Sequence, residues 1–227
     1  LGGSLASQSI VLGVFLAGLA GGAAIAGRLA GRVARPLRVY ALLEAAIGGL
    51  GLLAPVLAAA ARGIVATLGP GVADGPPLVL LRAGAAALVL LPPTLCMGAT
   101  FPVLLRAWSR SDGGRGTALL YGWNTLGAAC GALGGSFAAL PLLGTRGTFW
   151  CAGGINLAVA VMALRLKVPG APTAPAENTP TPAAGVAAPP APLLLLAAYS
   201  GCLGAVLQVG WTRVMTLAFG SSVYALG

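Results

Sequence analysis

The chain has 227 residues, of which 58% are hydrophobic and 7% are charged, whereas a soluble domain carries roughly one quarter charged residues. This composition excludes a water-soluble globular core. The 13 basic and 4 acidic residues give a net charge of +9, but the basic residues separate apolar runs instead of covering one polar face, so we expect no nucleic-acid partner.

Three stretches contain no charged residue at all: 1–27, 83–105 and 116–145. Each is long enough to cross a bilayer as a helix, because a hydrocarbon core about 30 Å thick needs about 20 apolar residues. A helix also satisfies its own backbone hydrogen bonds where no water is present. The sequence therefore predicts an integral membrane protein whose main partner is the lipid bilayer.

The apolar runs predict about six transmembrane helices and the start of another near the end of the chain. In chain order the six helices cover residues 5–26, 37–61, 78–105, 117–143, 148–164 and 193–219. The predicted fold class is an all-α polytopic bundle. On the fourth helix Gly127, Gly131 and Gly135 recur at every fourth position, which predicts tight helix packing. A stripe that lines a substrate path is the alternative.

Residues 167–192 shift in composition to Pro, Ala and Thr, which predicts an extended linker. The linker separates a first helical half, residues 1–166, from the start of a second half, residues 193–227. Basic residues gather in alternate connections, and the positive-inside rule places these connections and the linker in the cytoplasm. They are Arg28, Arg32, Arg35, Arg38, Arg106, Arg110, Arg115, Arg165 and Lys167.

Glu44 lies within the second predicted helix, and a carboxylate inside a membrane is a candidate for binding a substrate or a proton in the protein interior. The alternative is that Glu44 reaches back to the cytoplasmic boundary, where Tyr40 and Arg38 are near in sequence. Both interpretations stay open at this point.

Three further polar positions within predicted spans are candidates for binding a substrate or ion: Asn124, Gln208 and Arg213. The alternative role of Arg213 is to clamp neighbouring structure together. The alternative for Asn124 is a hydrogen bond to another helix, and we interpret Asn156 in the same way.

The chain shows no catalytic motif, because its acidic residues lie in separate segments and it contains no histidine. The four cysteines lie within predicted spans without CxxC spacing, so we interpret them as small buried apolar residues. We accordingly expect no disulfide, no metal site and no cofactor. The cysteines are Cys96, Cys130, Cys151 and Cys202.

Three blocks in order resemble the membrane region of bacterial spermidine-synthase-like membrane proteins, in which a transporter-like region is fused to a polyamine-synthase-like domain. The blocks are PPTLCMGATFPVLLRA at 92–107, LYGWNTLGAACGALGGSFAALPLLGTRGT at 120–148 and QVGWTRVMTLAFGSSVYALG at 208–227. The resemblance covers nearly all of the chain outside the linker. At position 208 this family commonly has an acidic residue where this chain has Gln208.

The resemblance implies a major-facilitator-like bundle in a bacterial inner (plasma) membrane, with one further helix before Leu1. It also implies a cytoplasmic aminopropyltransferase-like domain that follows the membrane region and lies outside this chain. The implied function is to anchor that domain and to handle its substrate or product, a polyamine or another small solute. A facilitator-type secondary transporter of a small organic solute is the alternative.

Overall fold

The computed structural model describes residues 3–29, 32–73, 75–108, 114–166 and 190–219, and all regular structure in these ranges is helical. The all-α prediction is confirmed for this part of the chain. The six α-helices are α1 (Gly3–Leu29), α2 (Pro36–Leu68), α3 (Pro76–Ala107), α4 (Arg115–Gly134), α5 (Leu140–Arg165) and α6 (Ala191–Phe219). The predicted linker falls almost wholly outside the described residues.

Proline and glycine set several helix boundaries. Pro36 and Pro76 occupy the first positions of α2 and α3, where the missing N–H would have no partner within the helix. Gly75 (φ 101°) and Gly114 (φ 89°) precede α3 and α4 in a backbone conformation that L side chains rarely adopt. Gly144 (φ 65°) interrupts α5 at the point where the sequence predicts the connection between the fourth and fifth spans.

The described helices are those of a multi-pass membrane protein. Four segments are long and apolar enough to cross a membrane: Ile10–Leu29, Pro36–Gly71, Pro76–Ala107 and Arg115–Arg165. The last of these has 51 residues and joins α4 to α5 through a π-helical turn, although one crossing needs only about 20. In α6 the apolar run Ala191–Gly201 is shorter. The number of six crossings therefore stays a prediction.

Large apolar side chains cover the outside of the bundle, while small residues fill much of its interior. Phe137 and Leu142 are 79% and 80% exposed, whereas Ala54, Ala58 and Ala61 of α2 are almost completely buried. An apolar surface of this extent would cause aggregation in water. The hydrocarbon chains of lipids are a favourable environment for this apolar surface.

Three helix pairs form the most extensive contacts: α1 with α3, α4 with α6, and α2 with α5. Glycine lets the backbones of each pair approach closely, and an added Cβ would meet the neighbouring backbone. The contacts are Gly22 with Leu95, Gly127 with Ala198, and Gly48 with Gly153. Since lipid tails are as apolar as the helices, van der Waals contact of this kind is a main source of helix association in a membrane.

Candidate functional site

A cavity of about 200 Å³ lies at the centre of the bundle, and every one of the six described helices contributes to its wall. We call it the central cavity. Its wall combines apolar side chains with a carboxylate, two carboxamides and two hydroxyl groups. The lining residues are Phe15, Leu19, Glu44, Ile47, Met97, Thr100, Phe101, Asn124, Ala128, Asn156, Ser200, Gly201 and Gly204.

Glu44 provides the carboxylate of the central cavity. It lies eight residues after the start of α2 at Pro36, which is about 12 Å along the axis at about 1.5 Å per residue. The side chain is only 1% exposed, and its Oε1 atom has no hydrogen-bond partner among the described residues. This position favours the interior interpretation of Glu44 over the boundary interpretation.

Two hydroxyl groups lie beside the Glu44 carboxylate. They belong to Tyr40, one turn earlier on α2, and to Ser200 on α6. The Tyr40 hydroxyl is fully buried and also lies 3.3 Å from the carbonyl oxygen of Leu196, to which it donates. Because a phenol has one proton, it cannot donate to Leu196 and to Glu44 at the same time.

Two other polar groups on the wall donate to their own helices. Thr100 Oγ1 donates to the Met97 carbonyl oxygen at 2.7 Å, and Asn156 Nδ2 donates to the Ala152 carbonyl oxygen at 3.2 Å. Asn156 is 1% exposed. The sequence suggested that Asn156 forms a hydrogen bond between helices, but the bond that its Nδ2 atom forms lies within α5.

Close helix crossings bring these polar groups together. Gly48 of α2 lies against Gly153 and the Asn156 Cβ of α5, so the Glu44 and Asn156 turns are adjacent. On the other side, Gly201 of α6 lies against the backbone and the Oδ1 atom of Asn124 on α4. A larger residue at either crossing would force the helices apart and open the wall of the cavity.

The structure brings together two of the four residues that the sequence singled out for binding, Glu44 and Asn124. Gln208 and Arg213 belong to α6, and their side chains lie outside those that the structure describes. Among the packing glycines, Gly127 and Gly135 lie against Ala198 and Val206 of α6, and Gly131 is buried.

The interpretation of the cysteines as buried is wrong for two of them. Cys130 and Cys151 are exposed on the outside of the bundle, and Cys96 is partly buried. Cysteine is apolar enough to face lipid, so its usual burial in soluble proteins does not apply on this surface.

Sequence reasoning missed Thr100 and Ser200 as parts of the wall, and it placed Asn156 only in packing. A hydroxyl group in an apolar helix is a weak signal, because it satisfies itself on a backbone carbonyl of the preceding turn. Thr125 does this as well, with Oγ1 2.9 Å from the Tyr121 carbonyl oxygen, and it is exposed on the outside of the bundle.

Comparison of this chain with protein-family models, with curated proteins and with solved structures finds no match.

Proposed function

We propose that this chain is the membrane-embedded, transporter-like portion of a spermidine-synthase-like membrane protein, and that its central cavity binds a small polar solute. The observation that carries the proposal is the Glu44 carboxylate, which is buried at the cavity wall with one oxygen lacking a hydrogen-bond partner among the described residues.

Energetics support a ligand-binding role for Glu44. An acidic residue at the centre of a membrane helix costs about 2.5–3.5 kcal/mol on insertion scales, and an unpaired one gives no packing benefit in return. Within the described part of the chain, neither a lysine nor an arginine side chain lines the cavity. The Tyr40 and Ser200 hydroxyl groups lie beside this carboxylate, but they carry no positive charge, and its Oε1 atom has no hydrogen-bond partner among the described residues. A polar ligand from outside the protein would supply that partner.

A cysteine placed on the cavity wall tests whether solutes reach it. In a background with Cys96, Cys130, Cys151 and Cys202 replaced by alanine, Ala128→Cys puts a thiol on the wall. Methyl methanethiosulfonate is small and neutral, and it reacts with thiols that ionise in water. We expect rapid labelling of Ala128→Cys in membrane vesicles, measured by mass spectrometry of the purified protein.

Leu126→Cys is the matched control, because Leu126 lies two residues away on α4 and is 54% exposed on the outside of the bundle. Its thiol would face lipid and should stay unlabelled. If Ala128→Cys were as unreactive as Leu126→Cys, the cavity would be a sealed packing void, and the solute-binding proposal would be wrong.

A facilitator-type secondary transporter of a small organic solute is the second candidate, and the contribution of all six described helices to one cavity favours it. Transporter sites lie near the midplane and open to each side in turn. A membrane-impermeant thiol reagent should then label Ala128→Cys from either face, in right-side-out and in inverted vesicles. Labelling from one face alone would favour the anchoring role, with a site that serves a cytoplasmic domain.

A further inference from the structure

We propose that the central cavity binds a small organic monoammonium ion, with Glu44 as its counter-ion. This inference rests on the proposed function, because it names the class of solute that the cavity would hold. It follows from the hydrogen-bonding groups, the charge and the size of the cavity, each of which restricts the ligand in a different way.

Several hydrogen-bond acceptors lie in the part of the wall around Glu44, together with the Tyr40 and Ser200 hydroxyl groups beside its carboxylate. Thr100 and Asn156 each direct a donor to a carbonyl oxygen of their own helix, so their Oγ1 and Oδ1 atoms are left to accept. The Oε1 atom of Glu44 is a further acceptor without a partner in the described structure. A ligand that complements this wall must bring N–H or O–H donors of its own.

The charge of the cavity selects a cation. Among the described lining side chains, Glu44 is the acidic residue and none is a lysine or an arginine. A buried carboxylate without a counter-charge is strongly unfavourable, whereas one that is paired and hydrogen-bonded is tolerated. An ammonium group supplies both the positive charge and the N–H donors.

The size and the apolar walls select an organic ion over a metal ion. A cavity of about 150 Å³ holds benzene, with six carbon atoms, so one of about 200 Å³ has room for roughly eight non-hydrogen atoms. The rings of Phe15 and Phe101 and the Met97 side chain provide surface for the hydrocarbon part. A bare sodium ion would leave these walls without contacts.

A single carboxylate also limits the number of charges on the ligand. A second ammonium group would have no carboxylate to pair with among the described lining residues, and it would be buried at the cost of an unpaired charge. The cavity should therefore prefer a monoammonium ion to a diammonium ion of the same length.

Competition binding tests this proposal directly. The purified chain in phosphatidylcholine nanodiscs would be incubated with radiolabelled n-butylammonium, with empty nanodiscs as the blank. The competitors would be n-butylammonium, n-butanol, n-butyrate, 1,4-butanediammonium and sodium chloride. We expect n-butanol and 1,4-butanediammonium to require about tenfold higher concentrations than n-butylammonium. Butanol lacks the positive charge that pairs with Glu44, and the diammonium ion buries a second charge without a partner. Butyrate and sodium chloride should not compete.

Variants at Glu44 provide the second arm. Glu44→Gln should weaken n-butylammonium binding about tenfold or more while leaving n-butanol binding nearly unchanged. Glu44→Asp keeps the charge and should retain the preference for the ammonium ion. If Glu44→Gln does not fold, the competition series on the unaltered chain still decides the matter.

The outcomes separate this inference from the proposed function. Equal competition by n-butanol and n-butylammonium, or sodium chloride competing as well as the ammonium ion, would overturn the monoammonium assignment while leaving a solute site in place. Absence of any n-butylammonium binding would also overturn it. The solute site itself fails only when Ala128→Cys is unreactive as well.

Discussion

Helices α1, α2 and α3 border two hollows of different character. The central cavity measures about 200 Å³ and carries Glu44 and Thr100. The second hollow, which we call the outer groove, is larger, at about 330 Å³, and its lining is apolar apart from Cys96. It is formed by Gly22, Ile25, Ala26, Leu29, Val33, Val39, Leu43, Leu95, Cys96, Ala99 and Val103.

Residues that are adjacent in the sequence line different hollows. Leu43 lines the outer groove and Glu44 the central cavity, and Ala99 and Thr100 divide in the same way on α3. Successive helical residues point about 100° apart, so one step along the chain changes the surroundings completely. In a membrane, lipid chains can fill an open apolar groove, whereas the polar groups of a cavity need water or a polar ligand as hydrogen-bond partners. We therefore base the proposed binding site on polarity and not on volume.

The largest expected effect comes from disrupting the contact between α4 and α6 on which the central cavity depends. In Gly127→Ala the added Cβ would collide with the Ala198 carbonyl group of α6. We expect a loss of about 1–3 kcal/mol or more, because the backbones must separate. Thermal unfolding followed by size-exclusion chromatography in detergent would measure it.

Gly122→Ala is the control for this contact, since Gly122 lies on the same helix and an added Cβ there meets no atom within 4 Å. It should be neutral or stabilising by about 0.5–1 kcal/mol, because alanine favours the helix more than glycine does. Equal destabilisation by both variants would show that α4 does not pack on α6 through Gly127.

The next effect compares electrostatics in the two hollows. With Ala128→Cys as the reporter, Glu44→Gln should lower the labelling rate by 2-aminoethyl methanethiosulfonate, relative to the neutral methyl reagent, about fivefold or more. The reason is that a carboxylate concentrates cations near it. In a chain that keeps only the native Cys96, neither reagent should label the protein measurably, with or without the substitution, because Cys96 lines the apolar outer groove. Labelling of Cys96 that changed in parallel with that of Ala128→Cys would mean that both hollows share one electrostatic environment.

A smaller effect is expected from single acceptors on the wall. Thr100→Val has nearly the same shape but lacks the hydroxyl oxygen, so n-butylammonium affinity should fall about threefold to tenfold, as expected for one hydrogen bond. Thr125→Val removes an equivalent hydroxyl group from the outside of the bundle and should leave the affinity unchanged. A loss of affinity in both variants would point to an effect on helix stability instead of on binding.

The comparison of Glu44, Thr100 and Thr125 also shows how much of the site the sequence alone can predict. Charge-free runs predict where the helices lie, because the thickness of the bilayer imposes their minimum length. Glu44 is recognisable because a charge in an apolar span is costly. Thr100 and Thr125 are not distinguishable in this way, since each bonds to its own helix and only the packing of α3 and α4 decides which one meets the cavity. The fold class was therefore predictable, and the full polar wall was not.

The smallest effect is expected at Leu43, the sequence neighbour of Glu44. Leu43→Ala enlarges the outer groove, but lipid chains can occupy the space, so the loss of stability should stay below the roughly 2–5 kcal/mol typical of such truncations in soluble cores. The affinity for n-butylammonium should remain within about twofold of the unaltered chain. Binding and thermal unfolding would be measured on the same nanodisc preparations. A tenfold loss of affinity would show that the outer groove contributes to ligand binding. The distinction between a lipid-filled groove and a ligand-filled cavity would then be wrong.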